Sequence, residues 1–486
     1  MRCFGLCWEW LLRFIRMKEN HMKNNSLKKG MIKVLMANVL TLMFSLLTNF
    51  ILPKFLSVES YSEIKTFQLY ITYIGVLHFG YEDGMYLKYG GKTIDEISGE
   101  DLQTNLYTLR IFQIVVTAVT VVIAAFLKDA VFLAFALAIL PVNLVAYFKL
   151  LFQAIGEFGK YGRIMNVTAI VTFAINVIAL FVLRTDNYRI FLFGYVAWDL
   201  ILWILLEMYL KNKLPSGKTK KHFSFCELKR NISTGIPLTL GNFSSVMLTS
   251  IDRWFVKGLM TTLDFAQYSF AVSTESFINV ALTPITVTLY NYFCKNTDTK
   301  EILKMRNSVL IFASYVVSCA FGAKFIMEFF LDKYMGSCNV MFILFSAQIC
   351  YVVIKGIYVN MYKAQKRQNE YFRKLVLVVV IGVILNALFY AIKPCKEAFA
   401  FGTVASALIW LILCLRDFPE LNIKMNEALY LGTSILIFIA FGIFMESIVG
   451  FILYIATISL LARILLNDDL KYLMKIALGT LKLRRR

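Results

Sequence analysis

Charge written into apolar sequence is the first sign of chemistry in this chain. Asp252 and Arg253 open the run "IDRWFV", Glu275 interrupts "AVSTESFINV", Lys355 interrupts "YVVIKGIYVN" and Asp199 interrupts "GYVAWDLILW". An ionised side chain at the centre of a bilayer costs about 2.5–3.5 kcal/mol or more, so it normally faces a partner or a wet cavity. Arg253 and Lys355 could hold an anion in such a cavity. Arg253 could equally pair with Asp252 or reach the membrane interface. Glu275 and Asp199 could bind a proton or a sodium ion, or balance the cations. Lys324 and Glu328 are four apart, share a helical face and predict a structural ion pair. Arg110 is close enough to the end of its segment to reach the interface.

A second group stands in "HFGYEDGMYLKYGGKT", His78 to Thr93. Two readings compete for it. Tyr81, Tyr86 and Tyr89 fit an interfacial aromatic belt, stopped by Gly90 and Gly91. Alternatively, Asp83, Lys88 and Tyr86 shape a mouth through which a polar head group enters, Lys88 offering charge to phosphate. His78 is a packing residue or a proton relay. The closing "GGKT" resembles the tail of a phosphate-binding loop, but Tyr86 stands where that loop needs its first glycine. No ATP hydrolysis is expected.

Long apolar elements must position these residues. The chain has 486 residues, 59% hydrophobic and 17% charged, with a mean hydropathy of +0.66. Soluble domains carry about 25% charged residues. The expected fold is all-α and integral to a membrane, with about fourteen transmembrane helices of ~20 residues. They run near 34–55, 67–89, 106–127, 130–152, 164–183, 190–210, 232–256, 265–293, 308–331, 340–362, 375–392, 398–415, 429–444 and 448–466. The last two are short and tightly joined, which leaves twelve or thirteen spans open. Pro53, Pro141, Pro237 and Pro284 fall within spans and predict bends, working or static.

The net charge of +20 could suggest nucleic acid, but its distribution argues for membrane orientation. With the N-terminus cytoplasmic, 38 of the 51 Lys and Arg fall inside, nine outside and four within spans. Both termini are therefore expected in the cytoplasm, and no nucleic acid partner is needed. Outside loops are short, with no room for a domain there. Nine scattered cysteines and three histidines give no disulfide framework, no metal set and no acyl-transfer setting, so no cofactor and no enzyme are expected. Residues 1–29 read as a cytoplasmic segment, in which Met1 to Arg16 form an interfacial amphipathic helix or are the product of an upstream start codon, with Met17 or Met22 as the true start.

The basic segment 211–230 reads as a linker between two bundles, 30–210 and 231–416. The remaining pieces are 417–466, holding two further helices, and a basic tail, 467–486. Internal echoes support this division. Asn38 and Tyr61 recur as Asn242 and Phe265, a shift of 204; "FQAIGEFGKYGR" from Phe152 recurs as "YKAQKRQNEYFR" from Tyr362, a shift of 210. Six spans per half make the repeats parallel, two bundles with a cavity between them. At the shift of 204, Thr48 and Asn49 stand where Asp252 and Arg253 do, so the fold itself does not demand charge there.

At this layout of six, six and two spans the chain resembles the MOP superfamily. The likeness points to the Wzx-type polysaccharide-unit flippases, relatives of the lipid II flippases and MATE drug exporters. "MANVLTLMFSLLTNFILPKFLSVESYSEIKTFQLY" from Met36 resembles their first span and following loop, and "HFGYEDGMYLKYGGK" the end of their second. "IDRWFV" is similar to an Asp-Arg motif of their seventh span. The likeness covers about Lys28 to Leu466 in layout and is sharp in the first ninety residues. It implies transport of undecaprenyl-diphosphate-linked oligosaccharide across the bacterial cytoplasmic membrane for O-antigen or capsule. Polysaccharide polymerase and chain-length machinery would be candidate partners. Arg253, Lys355, Asp252, Glu275 and Asp199 would then line the substrate cavity. Asp83, Lys88 and Tyr86 would form its cytoplasmic mouth. The alternatives are a MATE-like cation-coupled drug exporter and, further off, a membrane glycan polymerase or acyltransferase.

Overall fold

The computed structural model describes the backbone of residues 25–213, 222–278, 289, 292–293 and 298–482, and no strand occurs among them. The expected N-terminal amphipathic helix and Pro284 lie outside the described residues. In chain order the first helices are α1 (Asn25–Phe55), α2 (Val58–Thr72), α3 (Tyr81–Tyr89), α4 (Gly99–Leu127), α5 (Ala130–Ala154), α6 (Phe158–Val177) and α7 (Tyr188–Lys213). Then come α8 (Phe225–Leu248), α9 (Ile251–Leu259), α10 (Thr262–Glu275), α11 (Thr299–Val316), α12 (Cys319–Phe330), α13 (Cys338–Val353) and α14 (Val359–Ala364). The chain finishes with α15 (Gln368–Ile392), α16 (Lys396–Asp417), α17 (Met425–Phe444), α18 (Ser447–Leu465) and α19 (Asn467–Lys482). Pro53, Pro141 and Pro237 lie inside α1, α5 and α8.

Among the described residues, eleven stretches are long and apolar enough to cross a bilayer. They match every expected span except the second, the seventh and the eighth, the last of which lies partly outside the described residues, and the two C-terminal helices, of 20 and 19 residues, both qualify. The three exceptions carry Asp83, Lys88, Asp252, Arg253 and Glu275. The second span is not the continuous helix expected. α2 gives way to a 3₁₀ turn at Ile74–His78, and Phe79 and Gly80 adopt left-handed φ of 51° and 87° before α3 begins. Such a break frees backbone groups that lipid cannot satisfy. Gln113 donates to the Leu77 carbonyl at 3.2 Å and is itself held by Asn143 at 2.8 Å; the Gly80 N–H donates to His78 Nδ1 at 3.0 Å. His78 is thus a backbone anchor of the break.

The echoes seen in sequence are local structure. At the shift of 204, Ser57 and Thr261 cap α2 and α10, each accepting from the N–H three residues on at 3.2 Å, and Tyr61 and Phe265 are buried. At the shift of 210, Gly156 (φ 75°) and Lys366 (φ 58°) make the same left-handed turn. The Glu157 N–H reaches the Phe152 carbonyl and the Arg367 N–H the Tyr362 carbonyl, both at 2.8 Å. Asn176 and Asn386, also 210 apart, are both buried.

The chain forms two compact units that divide between Ser250 and Ile251, so α8 belongs with the first unit although it follows the basic linker. The cause is a crossing of α3 and α8 with no side chain between them. A Cβ at Gly80 would sit 2.5 Å from the Ile236 nitrogen, and Cβ atoms at Gly84 and Gly235 would overlap the Asn231 and Gly80 carbonyls. Tyr81 and Tyr89, expected in an interfacial belt, are instead fully buried in this unit's core with Met85, Leu109, Tyr147 and Phe148. In the unit from Ile251 onward the tenth span is central, with 94% of its apolar window buried. Arg306, counted from sequence as a loop cation, is buried in α11 and bonds the Leu421 carbonyl, Asn307 and Glu427.

Overpacking a tight site costs about 1–3 kcal/mol or more. Gly84→Ala and Gly235→Ala should each lower the melting temperature of the detergent-solubilised protein by several degrees. Gly241→Ala in α8, where an added Cβ meets nothing within 4 Å, should leave it unchanged or slightly raised. Equal effects from all three would remove the crossing as their explanation.

Candidate functional site

Four of the five predicted cavity residues gather in the unit that begins at Ile251. Asp252 is buried at the start of α9, where its Oδ2 accepts from the Tyr268 hydroxyl at 2.7 Å and its Oδ1 from the Arg253 N–H at 2.8 Å. Glu275 ends α10 and accepts a hydrogen bond from Gln348 of α13. Lys355 stands in a π-helical turn, Ile354–Tyr358, that interrupts the tenth span between α13 and α14. Its ammonium lies 5.4 Å from the centroid of the Tyr351 ring.

The carboxylates act electrostatically on both cations. Yet neither Arg253 nor Lys355 forms an ion pair among the described residues, and Arg253 Nε is buried without a hydrogen-bond partner. The acids are satisfied by neutral donors, and the cations keep their hydrogen-bonding capacity. That is the arrangement an anion can use, because the donors need no release from an existing partner.

The fifth residue, Asp199, lies in α7 of the first unit. There it acts on Lys149 of α5, as does Glu82 of α3. Lys149 lines a cavity of about 350 Å³ together with His78, Glu82, Asp83, Gln153, Thr239 and Asn242. Glu82 Oε1 is buried and unpartnered, Glu82 Oε2 is 4.0 Å from His78 Nε2, and Asp83 accepts from the Thr239 hydroxyl. Asp83 therefore faces this cavity. Sequence reasoning did not single out Lys149, close to the inner end of the fourth span. A signal existed: the repeat shift of 210 sets Lys355 on Val145, one helical turn from Lys149 on the same face.

Lys88, the other predicted mouth cation, is occupied. It reaches Asp101 at 2.7 Å and Glu227 at 2.5 Å, and Glu227 also accepts from Asn105 at 2.9 Å and from Arg230. Tyr86 packs against the core of the first unit. Arg110 does not simply reach the interface; it pairs with Glu207 at 3.3 Å and lies over Tyr107. Lys324 and Glu328 do not pair with one another. Lys324 donates to the Gly442 and Met445 carbonyls at 2.8 and 2.5 Å, closing the end of α17, while Glu328 accepts from Ser447. Among the described residues no group of three or more His, Cys, Asp or Glu could hold a metal ion.

No protein-family model matches the sequence, and no curated protein matches it. Solved structures do. The lipid II flippase MurJ, in an inward closed conformation, aligns with a TM-score of 0.59 at 13% identity, over 90% of this chain and 99% of its own. An inward-facing multidrug resistance MATE family transporter of the MOP superfamily gives 0.53 at 12%, over 85% and 98%. A mutant of the Vibrio cholerae MATE transporter VcmN gives 0.51 at 10%, over 81% and 96%. The chain has the MOP transporter fold. Lys149 and Lys355 thus stand on stretches long and apolar enough to cross a membrane, and Arg253 on the short α9, in a fold shared by a flippase and multidrug transporters.

Burial raises the Glu227 carboxyl, but the hydrogen bonds from Lys88, Asn105 and Arg230 outweigh it and hold the group below its ordinary value. A depressed carboxyl contributes stability that is complete above the unfolded value, about 4.3, and is lost as pH falls through the folded one. Wild type should therefore melt higher than Glu227→Gln at pH 7, and the two should converge as the pH is lowered past about 4.3. A gap that widens in acid would contradict the assignment.

Proposed function

We propose that this protein is a flippase for polyprenyl-diphosphate-linked oligosaccharide units, working by alternating access in the bacterial cytoplasmic membrane with both termini inside. It would supply surface polysaccharide synthesis, O-antigen or capsule. Arg253 and Lys355 compensate the diphosphate, the apolar tail stays in lipid, and Asp252, Glu275 and Asp199 balance charge when no cargo is bound. A diphosphate head carries the charge that hydrocarbon opposes most, and two donors free of ion-pair partners lower that barrier. The reading is of a transporter and not of an enzyme. One observation carries it: in the unit from Ile251 onward Asp252 and Glu275 are satisfied by neutral donors, while Arg253 and Lys355 form no ion pair among the described residues. In this unit a MATE-like exporter of lipophilic cations would call for the reverse, Asp252 and Glu275 left open to a positively charged cargo.

The test is reconstitution in liposomes with a fluorescent polyprenyl-diphosphate sugar, following how much label becomes accessible in the opposite leaflet. Truncating one partner of a buried charge contact costs about 2–5 kcal/mol. Arg253→Leu and Lys355→Met should each slow transfer at least about tenfold, and Arg253→Lys should keep part of it. Undiminished transfer in both truncations, or export of tetraphenylphosphonium with no transfer of the lipid-linked sugar, would overturn the proposal.

A further inference from the structure

The first unit's cavity is not explained by phosphate compensation. We propose that it is a saccharide subsite, in which a hydroxyl-rich sugar ring is held by Lys149, Glu82, Asp83, Gln153 and Asn242. The argument begins with what is idle there. Lys149 has no hydrogen bond or ion pair among the described residues, and Glu82 Oε1 is buried with no partner. The amides of Gln153 and Asn242 and the hydroxyl of Tyr161 line the same space without partners among the described residues. Asp83 is held by the Thr239 hydroxyl, a contact that fixes the carboxylate and leaves it further acceptor capacity.

Idle acceptors and idle donors side by side select the ligand. A sugar hydroxyl donates and accepts at once, so it is satisfied by a carboxylate on one side and an ammonium or amide on the other. Phe243 and Tyr161 supply apolar ring surface in the same lining. A volume of about 350 Å³ falls in the range of small-molecule sites. Other ligands fit less well. Glu82 and Asp83 would repel a bare diphosphate, and no metal set is present among the described residues. Lys149 lies under the influence of Asp199 and Glu82, so part of the carboxylate charge is balanced within the unit. The break at Phe79 and Gly80 directs this chemistry, because it fixes where His78, Glu82 and Asp83 project.

This inference rests on the proposed function for the statement that the sugar belongs to the cargo; the binding itself does not depend on it. The test uses the full-length protein in detergent micelles and saturation-transfer NMR. The probes are free glucose, galactose, N-acetylglucosamine and glucuronate, with pyrophosphate titrated separately by calorimetry. At least one sugar should bind, and Asn242→Leu and Gln153→Leu should each weaken it about tenfold, the cost of a lost charged or paired hydrogen bond. Arg253→Leu should leave sugar binding intact, and both cavity variants should elute as monodisperse protein and keep pyrophosphate binding. Absence of binding by every sugar, or binding unchanged in both cavity variants, overturns the subsite whatever pyrophosphate does. Pyrophosphate affinity that survives Arg253→Leu and Lys355→Met would instead strike the flippase reading, and the sugar subsite would stand.

Discussion

A cation on a membrane-spanning helix must find a carboxylate, a carbonyl or water, and this constraint sorts the positive charges of the chain into two kinds. Arg306 is consumed by the Leu421 carbonyl and Glu427. Lys324 is consumed by two carbonyls at the end of α17, Lys374 by Asp417 at 2.8 Å, and Lys88 by Asp101 and Glu227. Each of these ties one helix to another. Lys149, Arg253 and Lys355 have no such assignment among the described residues. A charge already satisfied by the fold has little left to give a ligand. An unsatisfied one on the same kind of helix persists only where something polar reaches it.

The backbone obeys a parallel rule. Helices that cross lipid keep their hydrogen bonds internal, so an interruption needs a local remedy. The second span breaks at Phe79 and Gly80 and is repaired by Gln113, Asn143 and His78. The seventh span divides at Thr249 and Ser250, and α9 opens directly on Asp252 and Arg253. The tenth carries a π-helical turn at Lys355. An interruption alone does not mark a site, because Ile178–Val182 forms a π-helical turn with no charged residue in it. What distinguishes the three breaks is that each sets a charged side chain beside altered backbone.

Apolar length made most of the spans legible, and two short echoes pointed to local structure that recurs, although the caps at Ser57 and Thr261 emerge only in the structure. What hydropathy could not show was partnership. Lys88 and Lys355 look alike in sequence, each a lysine among tyrosines. The approach of Asp101, and of Glu227 from 139 residues away, makes the first structural. Arg110 and Lys324 were misjudged for the same reason, since Glu207 and the α17 carbonyls are distant in sequence. Lys149 was lost because a window average absorbs one lysine near the end of a strongly apolar helix. The burial of Tyr81 and Tyr89 was hidden by the glycine crossing, since glycine says that something approaches closely and not what approaches.

On the proposed flippase reading, the way Asp252 and Glu275 are satisfied bears on release as much as on capture. Had Glu275 paired directly with Lys355, cargo would have to displace a buried ion pair, whose attraction in a low-dielectric site is large. Had the acids been absent, two bare cations would hold a diphosphate too firmly to let it go. Asp252 and Glu275 take neutral donors from Tyr268 and Gln348 and still act on Arg253 and Lys355 through space. The cations are then moderated without being occupied. A carrier needs this intermediate condition, because a site that binds an anion in one state must give it up in the next, and the free-energy difference between those states can be no larger than what drives the cycle.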